Sequence, residues 1–361
     1  MKIGLIGLNQ TGKTTLFSLL TGKHDSESFT SGKASANIGT CNVPDERVDF
    51  LTELYKPKKT TYAKIELTDI VGFSASGEDR NSGAARFLND VRPCNALIHV
   101  LRAFETASAA HESDSIDPAR DLEAVETEML FADLESIEKR IGRIKAGKKI
   151  TKEHEVEISL LERCFKWLEN GSSVVDMDLT EQERIDIRSY TLLTDKPRLA
   201  VVNLDESRWE AKEWPNQEAL RKLCAKLNIP LLELCVDMEL EISRLPPEDK
   251  ELFMEDMAIT EPGIAALAKA VYSHLGLISF LTHGGDEVRA WTIENGTIAK
   301  NAAGKIHTDI ERGFIRAEVV KYVDLLELGT MAKVKEKGLF RLEGKEYIVA
   351  DGDIINFRFN V

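Results

Sequence analysis

The stretch Gly7-Leu8-Asn9-Gln10-Thr11-Gly12-Lys13-Thr14 has the spacing GxxxxGK[ST]. Its chemistry is phosphate binding. The glycines let the backbone curl so that successive N–H groups face a phosphate. Lys13 adds a point charge on the β/γ oxygens, and the Thr14 hydroxyl is a hard oxygen donor for Mg²⁺. Asn9, Gln10, Thr11, Gly12 and Thr15 complete the residues expected around a nucleotide. A nucleotide switch also needs a second carboxylate on the metal side. Asp69-Ile70-Val71-Gly72 supplies it, with Asp69 holding Mg²⁺ through water and the Gly72 N–H meeting a γ-phosphate.

Base recognition is expected from a loop after a later strand. Guanine selection usually rests on an Asn/Thr-Lys-x-Asp element, whose Asp accepts from the guanine N1 and N2 donors. This chain carries Asn203-Leu204-Asp205-Glu206 instead, without the Lys that would flank the base. These residues alone leave ATP and GTP both open, and Glu206 reads equally well as an ordinary surface acid.

The elements that must position these residues are legible as apolar runs. Residues 3–8 form a short run into the Gly-rich turn, and residues 14–20 read as a helix. Further runs of strand length occupy residues 63–69, 96–100, 199–203 and 231–236. Continuous rather than alternating apolar strands, separated by helical stretches, predict a parallel sheet covered on both faces. The fold class is therefore α/β, a doubly wound P-loop sheet.

A charged stretch at about 121–190 interrupts that pattern. Leu122, Val125, Met129, Ala132, Ile137, Ile141 and Ile144 follow helical spacing, and Val156, Leu160, Leu161, Cys164, Phe165 and Leu168 mark a second arm. This predicts an inserted helical hairpin. Its bend carries Lys139, Arg140, Arg143, Lys145, Lys148, Lys149 and Lys152 with no acidic residue between them. Two readings stand: a solvated hairpin tip, or a contact to nucleic acid, RNA above all. From about residue 280 the texture becomes β-rich. Strands are expected at 288–293, 347–349 and 354–359, with a turn at Asp351-Gly352-Asp353.

Composition bounds these readings. A chain of 361 residues, 43% hydrophobic and 30% charged, predicts two or three globular domains and excludes disordered and fibrous classes. Lys and Arg number 47 against 61 Asp and Glu, a net charge of −14, which excludes a protein that coats DNA through its whole surface. The five cysteines (Cys41, Cys94, Cys164, Cys224 and Cys235) are scattered and form no CxxC pair. That argues against a disulfide framework or zinc site and for a reducing cytoplasm. No apolar run approaches the ~18–20 residues of a membrane span. Asn9, Gln10 and Lys13 interrupt the N-terminal run too early for a signal peptide.

Taken together, the motifs resemble the YchF/Obg-like ATPase family of translation-factor-type P-loop proteins over essentially the whole chain. The anchors beyond the phosphate loop are Asp286-Glu287-Val288-Arg289-Ala290-Trp291-Thr292, Ala303-Gly304-Lys305-Ile306-His307-Thr308-Asp309 and Arg312-Gly313-Phe314-Ile315-Arg316-Ala317-Glu318-Val319. Asp351-Gly352-Asp353 and Phe357-Arg358-Phe359-Asn360-Val361 complete them. The resemblance implies a nucleotide-binding domain at 1–120 and 191–278, a coiled-coil domain at 121–190, and a C-terminal TGS domain, a ubiquitin-like β-grasp, at 279–361. It implies ATP with Mg²⁺, the base being read by an Asn-x-x-Glu element that matches Asn203 and Glu206. The glutamine that orients water in many GTPases is replaced by an apolar residue, here Phe73. Hydrolysis is linked to a histidine upstream of an Asp-Pro, a position matched by His111, although a solvated loop histidine is an equal reading.

The chain departs from the family at two points. The family's P-loop asparagine, associated with monovalent cations in related enzymes, is Gln10. Its switch threonine falls on Lys33, which cannot ligate Mg²⁺ as a hydroxyl does, and Thr30, Ser31 and Ser35 are the substitutes nearby. The resulting expectation is a cytoplasmic, nucleotide-dependent switch that slowly hydrolyses ATP and contacts the ribosome or another RNA-bearing partner through residues 139–152 and the TGS domain. A non-catalytic nucleotide-binding scaffold and a GTPase are the alternatives.

Overall fold

The computed structural model describes residues 1–22, 37–73, 80–105, 115–147, 149–257, 259–284 and 286–360. Strand β1 (Lys2–Ile6) and helix α1 (Lys13–Thr21) flank the Gly-rich turn. The chain continues through β2 (Asn37–Val43), α2 (Glu46–Tyr55), β3 (Lys59–Thr61), β4 (Ala63–Asp69), α3 (Arg80–Val91) and β5 (Ala96–Ala103). Two long helices follow, α4 (Pro118–Lys145) and α5 (Lys152–Glu169), then α6 (Glu181–Arg188). Next come β6 (Arg198–Leu204), α7 (Glu206–Ala211), α8 (Gln217–Lys226), β7 (Leu231–Leu234), α9 (Val236–Arg244), α10 (Pro247–Asp256) and α11 (Gly263–His274). The remainder is β8 (Leu277–His283), β9 (Glu287–Glu294), α12 (Ala299–Ile306), α13 (Thr308–Arg312) and β10 (Phe314–Lys321), then α14 (Tyr322–Leu328), α15 (Met331–Glu336), β11 (Arg341–Glu343) and β12 (Asp353–Phe359). Among the described residues no helix is long and apolar enough to cross a membrane.

These elements form two units, Met1–Thr40 with Glu66–Ile264, and Cys41–Ile65 with Ala265–Val361. In the first, the strand order is β2-β4-β1-β5-β6-β7, and the pairs from β4 to β7 are parallel. Every residue of β5 and β6 is buried. That is why these segments read as unbroken apolar runs, since helices cover both faces of the sheet. The doubly wound α/β expectation is met.

Helix α4 joins two cores. Asp117 caps its N-terminus by accepting from the Ala119 and Arg120 N–H groups, with Pro118 in the first turn. Leu122 packs with Leu101, Ala200 and Leu204, and Val125 and Met129 pack with Ile6, Phe87 and Leu97. About two turns further on, Ile137 turns to Leu160, Leu161, Cys164 and Leu168 of α5. The hairpin is therefore continuous with the sheet core, and its first helix begins before residue 121. Val156, expected on the buried arm, is 67% exposed. A buried carboxylate fixes the far end of the insert. Asp133, fully buried, accepts from Leu193 N–H (2.9 Å), Thr194 N–H (2.8 Å) and Thr194 Oγ1 (2.7 Å).

The second unit is a mixed sheet of order β11-β10-β12-β8-β9-β3, with helix α12 on one face. Ala299, Ala302 and Ala303 let α12 lie close to Phe280, Val319 and Phe357, the β-grasp arrangement. Residues 41–65, expected in the nucleotide-binding domain, are grouped with this unit. Residues 347–349 form no strand; a single bridge joins Ile348 to Ile298.

Replacing Asp133 by Ala strands three donors inside the core. At ~1–3 kcal/mol for each unsatisfied buried group, the loss should reach at least about 3 kcal/mol. Chemical denaturation measures it, and a loss below about 1 kcal/mol would show that the carboxylate does not hold the segment.

Candidate nucleotide site

The loop between β1 and α1 is held in shape from outside. Gly12 has φ of 91°, and a Cβ there would come within 2.4 Å of Asn203 Nδ2, so only glycine fits. Asn203, at the end of β6, is 5% exposed. Its Nδ2 donates to the Thr11 carbonyl (3.1 Å), and its Oδ1 accepts from Val236 N–H (3.1 Å) at the start of α9. The side chain thus ties three segments together, so its amide faces the protein. Sequence reasoning missed this role because both partners are backbone groups.

Helix α1 starts at Gly12 without a side-chain cap. Uncapped N–H groups at a helix start, with the positive end of the dipole, make an anion site. Lys13 is buried, its ammonium held by the Leu8 carbonyl and 3.5 Å from Thr11 Oγ1. Asn9 and Gln10 are exposed at the loop tip, with Gln10 in the left-handed region at φ 59°. Thr15 lies half-buried in the first turn of α1.

The Thr14 hydroxyl donates to Asp69 Oδ2 at 2.9 Å. Two hard oxygen donors from two elements meet there, at the mouth of the loop, which is the donor chemistry Mg²⁺ requires. Burial pushes the Asp69 carboxyl up, opposed by the Thr14 hydrogen bond, the Lys13 charge and a hydrogen bond from Asn37. Asn37 is a second residue that sequence reasoning did not place at the site. Gly72 lies against Asn9, where a Cβ would sit 2.2 Å from Asn9 Oδ1, so the strand end can approach the loop only as glycine.

Phe73 is 2% exposed and packs on Phe87 at 5.5 Å, while its N–H donates to the Gly7 carbonyl (3.0 Å). A buried ring cannot orient water. His99, on β5, is the register partner of Ile6 and is fully buried. Burial first, then the charges of Lys13 and Arg198, drive its pKa down to about 3, so it stays neutral. At the other end of the site Asp205 caps α7, accepting from Arg208 N–H (3.0 Å) and Ser207 Oγ (2.6 Å). Glu206 follows, exposed, as the first residue of α7. The structure therefore brings together Asn9 to Thr15, Asp69, Gly72 and Asn203. His111 and Lys33 lie outside the described residues.

The basic bend of the hairpin is less positive than its sequence. Lys139 pairs with Glu135, Arg140 with Glu157 (2.7 Å) and Lys145 with Glu162 (2.8 Å). Arg143, Lys149 and Lys152 are exposed and make no ion pair among the described residues. Lys148 lies outside them.

Two family models match the chain. One described as a 50S ribosome-binding GTPase covers residues 2–137, and YchF-GTPase_C, described as a protein of unknown function, covers residues 277–360. The chain is 41% identical to the Ribosome-binding ATPase YchF of Bacillus subtilis, over 99% of both chains. It is 38% identical to the protein of that name from Escherichia coli O157:H7, over 100% of this chain and 99% of the relative. A solved structure described as the Schizosaccharomyces pombe YchF GTPase superposes with a TM-score of 0.88 at 29% identity, covering 99% of this chain and 97% of that one. With end-to-end likeness in sequence and in fold, the chain belongs to the YchF family.

Proposed function

We propose that this chain is a Mg²⁺-dependent, ATP-binding switch that acts on the ribosome and resets by slow hydrolysis. The observation that carries it is the Thr14–Asp69 contact at the mouth of an uncapped helix whose loop holds a buried lysine. Thr14 and Asp69 would hold Mg²⁺, which when bound neutralises phosphate oxygens. Lys13, the loop amides and Gly72 hold the phosphates. Asn203 positions the loop against the base site, and Glu206, three residues on, is the base contact. The relatives named ribosome-binding ATPases support ATP and the ribosome. Hydrolysis is assigned to His111 by resemblance. The reading places the ribosome contact on the hairpin bend and the C-terminal unit, and it keeps the division into nucleotide-binding, helical and TGS domains.

Replacing Lys13 by Ala should weaken ATP binding at least about 100-fold, roughly 2.7 kcal/mol, in a calorimetric titration. Micromolar affinity in that variant would refute the phosphate site. The parent should prefer ATP; GTP binding tenfold tighter, a gap of about 1.4 kcal/mol, would overturn the base assignment. On the hairpin, reversing the charge of Arg143, Lys149 and Lys152 should weaken co-sedimentation with ribosomes and flatten its salt dependence by about 0.9 per lost phosphate contact. Unchanged co-sedimentation would leave the bend as a solvated tip.

A further inference from the structure

A second cationic site lies wholly within the C-terminal unit. Between edge strand β3, strand β9 and helix α12 is an open depression of about 560 Å³. Lys59, Lys64, Arg289 and Lys305 line it, with no carboxylate among the described lining residues. Glu287, not itself in the lining, pairs with two lining residues, Lys59 (3.2 Å) and Thr61 Oγ1 (2.7 Å), and feels the charge of Arg289. In a chain of net charge −14 this is a strong local inversion.

The floor has a specific shape. The Arg289 guanidinium lies 3.8 Å from the centroid of the Trp291 ring. The indole is itself fixed, with Nε1 donating to Thr282 Oγ1 (2.9 Å) and Phe280 nearly parallel at 6.2 Å. A guanidinium stacked on a fixed indole is planar and preorganised, and its outer face is a platform for a nucleobase. Point charges spaced around such a platform match a phosphate backbone. A carboxylate ligand would use the charges and leave the platform idle.

We propose that this depression binds single-stranded RNA, with one base stacked on Arg289 and the flanking phosphates on Lys59, Lys64 and Lys305. This deepens the ribosome reading by giving the C-terminal unit an RNA segment to hold, and it rests on that reading only for where the RNA is met.

The test is fluorescence anisotropy of a labelled mixed-sequence RNA decamer with the full chain. Arg289→Lys keeps the charge and removes the plane, and should weaken binding about tenfold at an unchanged salt slope. The double change Lys64→Gln and Lys305→Gln should weaken binding and flatten the slope by about 0.7 per lost contact. ATP affinity should be unaltered in both, which checks the fold and separates this site from the phosphate loop. Ribosome co-sedimentation of the same variants reads the ribosome assignment independently. RNA binding equal to the parent in both variants, or displacement by an oligoglutamate as effective as that by unlabelled RNA, would overturn the proposal.

Discussion

The side chain of Asn203 is the constraint on which the nucleotide site depends. A phosphate loop must leave its N–H groups unpaired and facing outward, so it cannot hold itself by the usual backbone ladder. The support has to come from elsewhere. Asn203 supplies it through one amide, from Thr11 on one side to Val236 on the other. An apolar residue there would leave two buried backbone groups without partners, at about 1–3 kcal/mol each. The same amide explains Gly12, since the close approach that makes the hydrogen bond leaves no room for a Cβ. Loop, β6 and α9 are thus tied together through one side chain.

The second constraint is helix α4. Its inner face carries Asp121, Glu126 and Asp133 into the protein interior. Glu126 pairs with Arg198 of β6, and Asp133 gathers the Leu193–Thr194 backbone just before that strand. Buried charges add little net stability, but each has one partner geometry that satisfies it. A helix with apolar residues alone could slide by a turn, whereas this one has a fixed register. These contacts tie the hairpin to the start of β6, the strand that carries Asn203 near its end.

How much of this was legible follows from where each signal resides. The phosphate loop, Asp69 and Gly72 were readable because their chemistry sits in contiguous motifs. Strands β5 and β6 were readable because two-sided burial demands unbroken apolar runs. β3 escaped notice because Lys59-Thr60-Thr61 has no apolar residue, its pairing with β9 resting on backbone and polar contacts. β10 carries Arg316 and Glu318 on a half-exposed face, so its alternation was masked by charge. The roles of Asn203 and Asn37 depend on groups far away in sequence, and no local pattern encodes them. The basic bend shows the opposite failure: its charges were legible, but not the glutamates on the facing arm that pair with them.

Net charge is the weakest of the sequence signals for the same reason. At physiological ionic strength charges separated by more than about 8 Å are largely screened. A partner approaching a patch therefore meets the few charges around it rather than the total for the chain. What counts is whether each local cation already has a carboxylate. On the hairpin Lys139, Arg140 and Lys145 do. In the β3–β9 depression Glu287 is shared between Lys59, which it pairs, and Arg289, whose charge it feels, while Lys64 and Lys305 make no ion pair among the described residues and Arg289 is held by a ring. An indole holds a guanidinium in place without neutralising it, and so keeps a cation both ordered and available. Of the two basic regions, the one that sequence made less conspicuous is the better prepared to hold an anion.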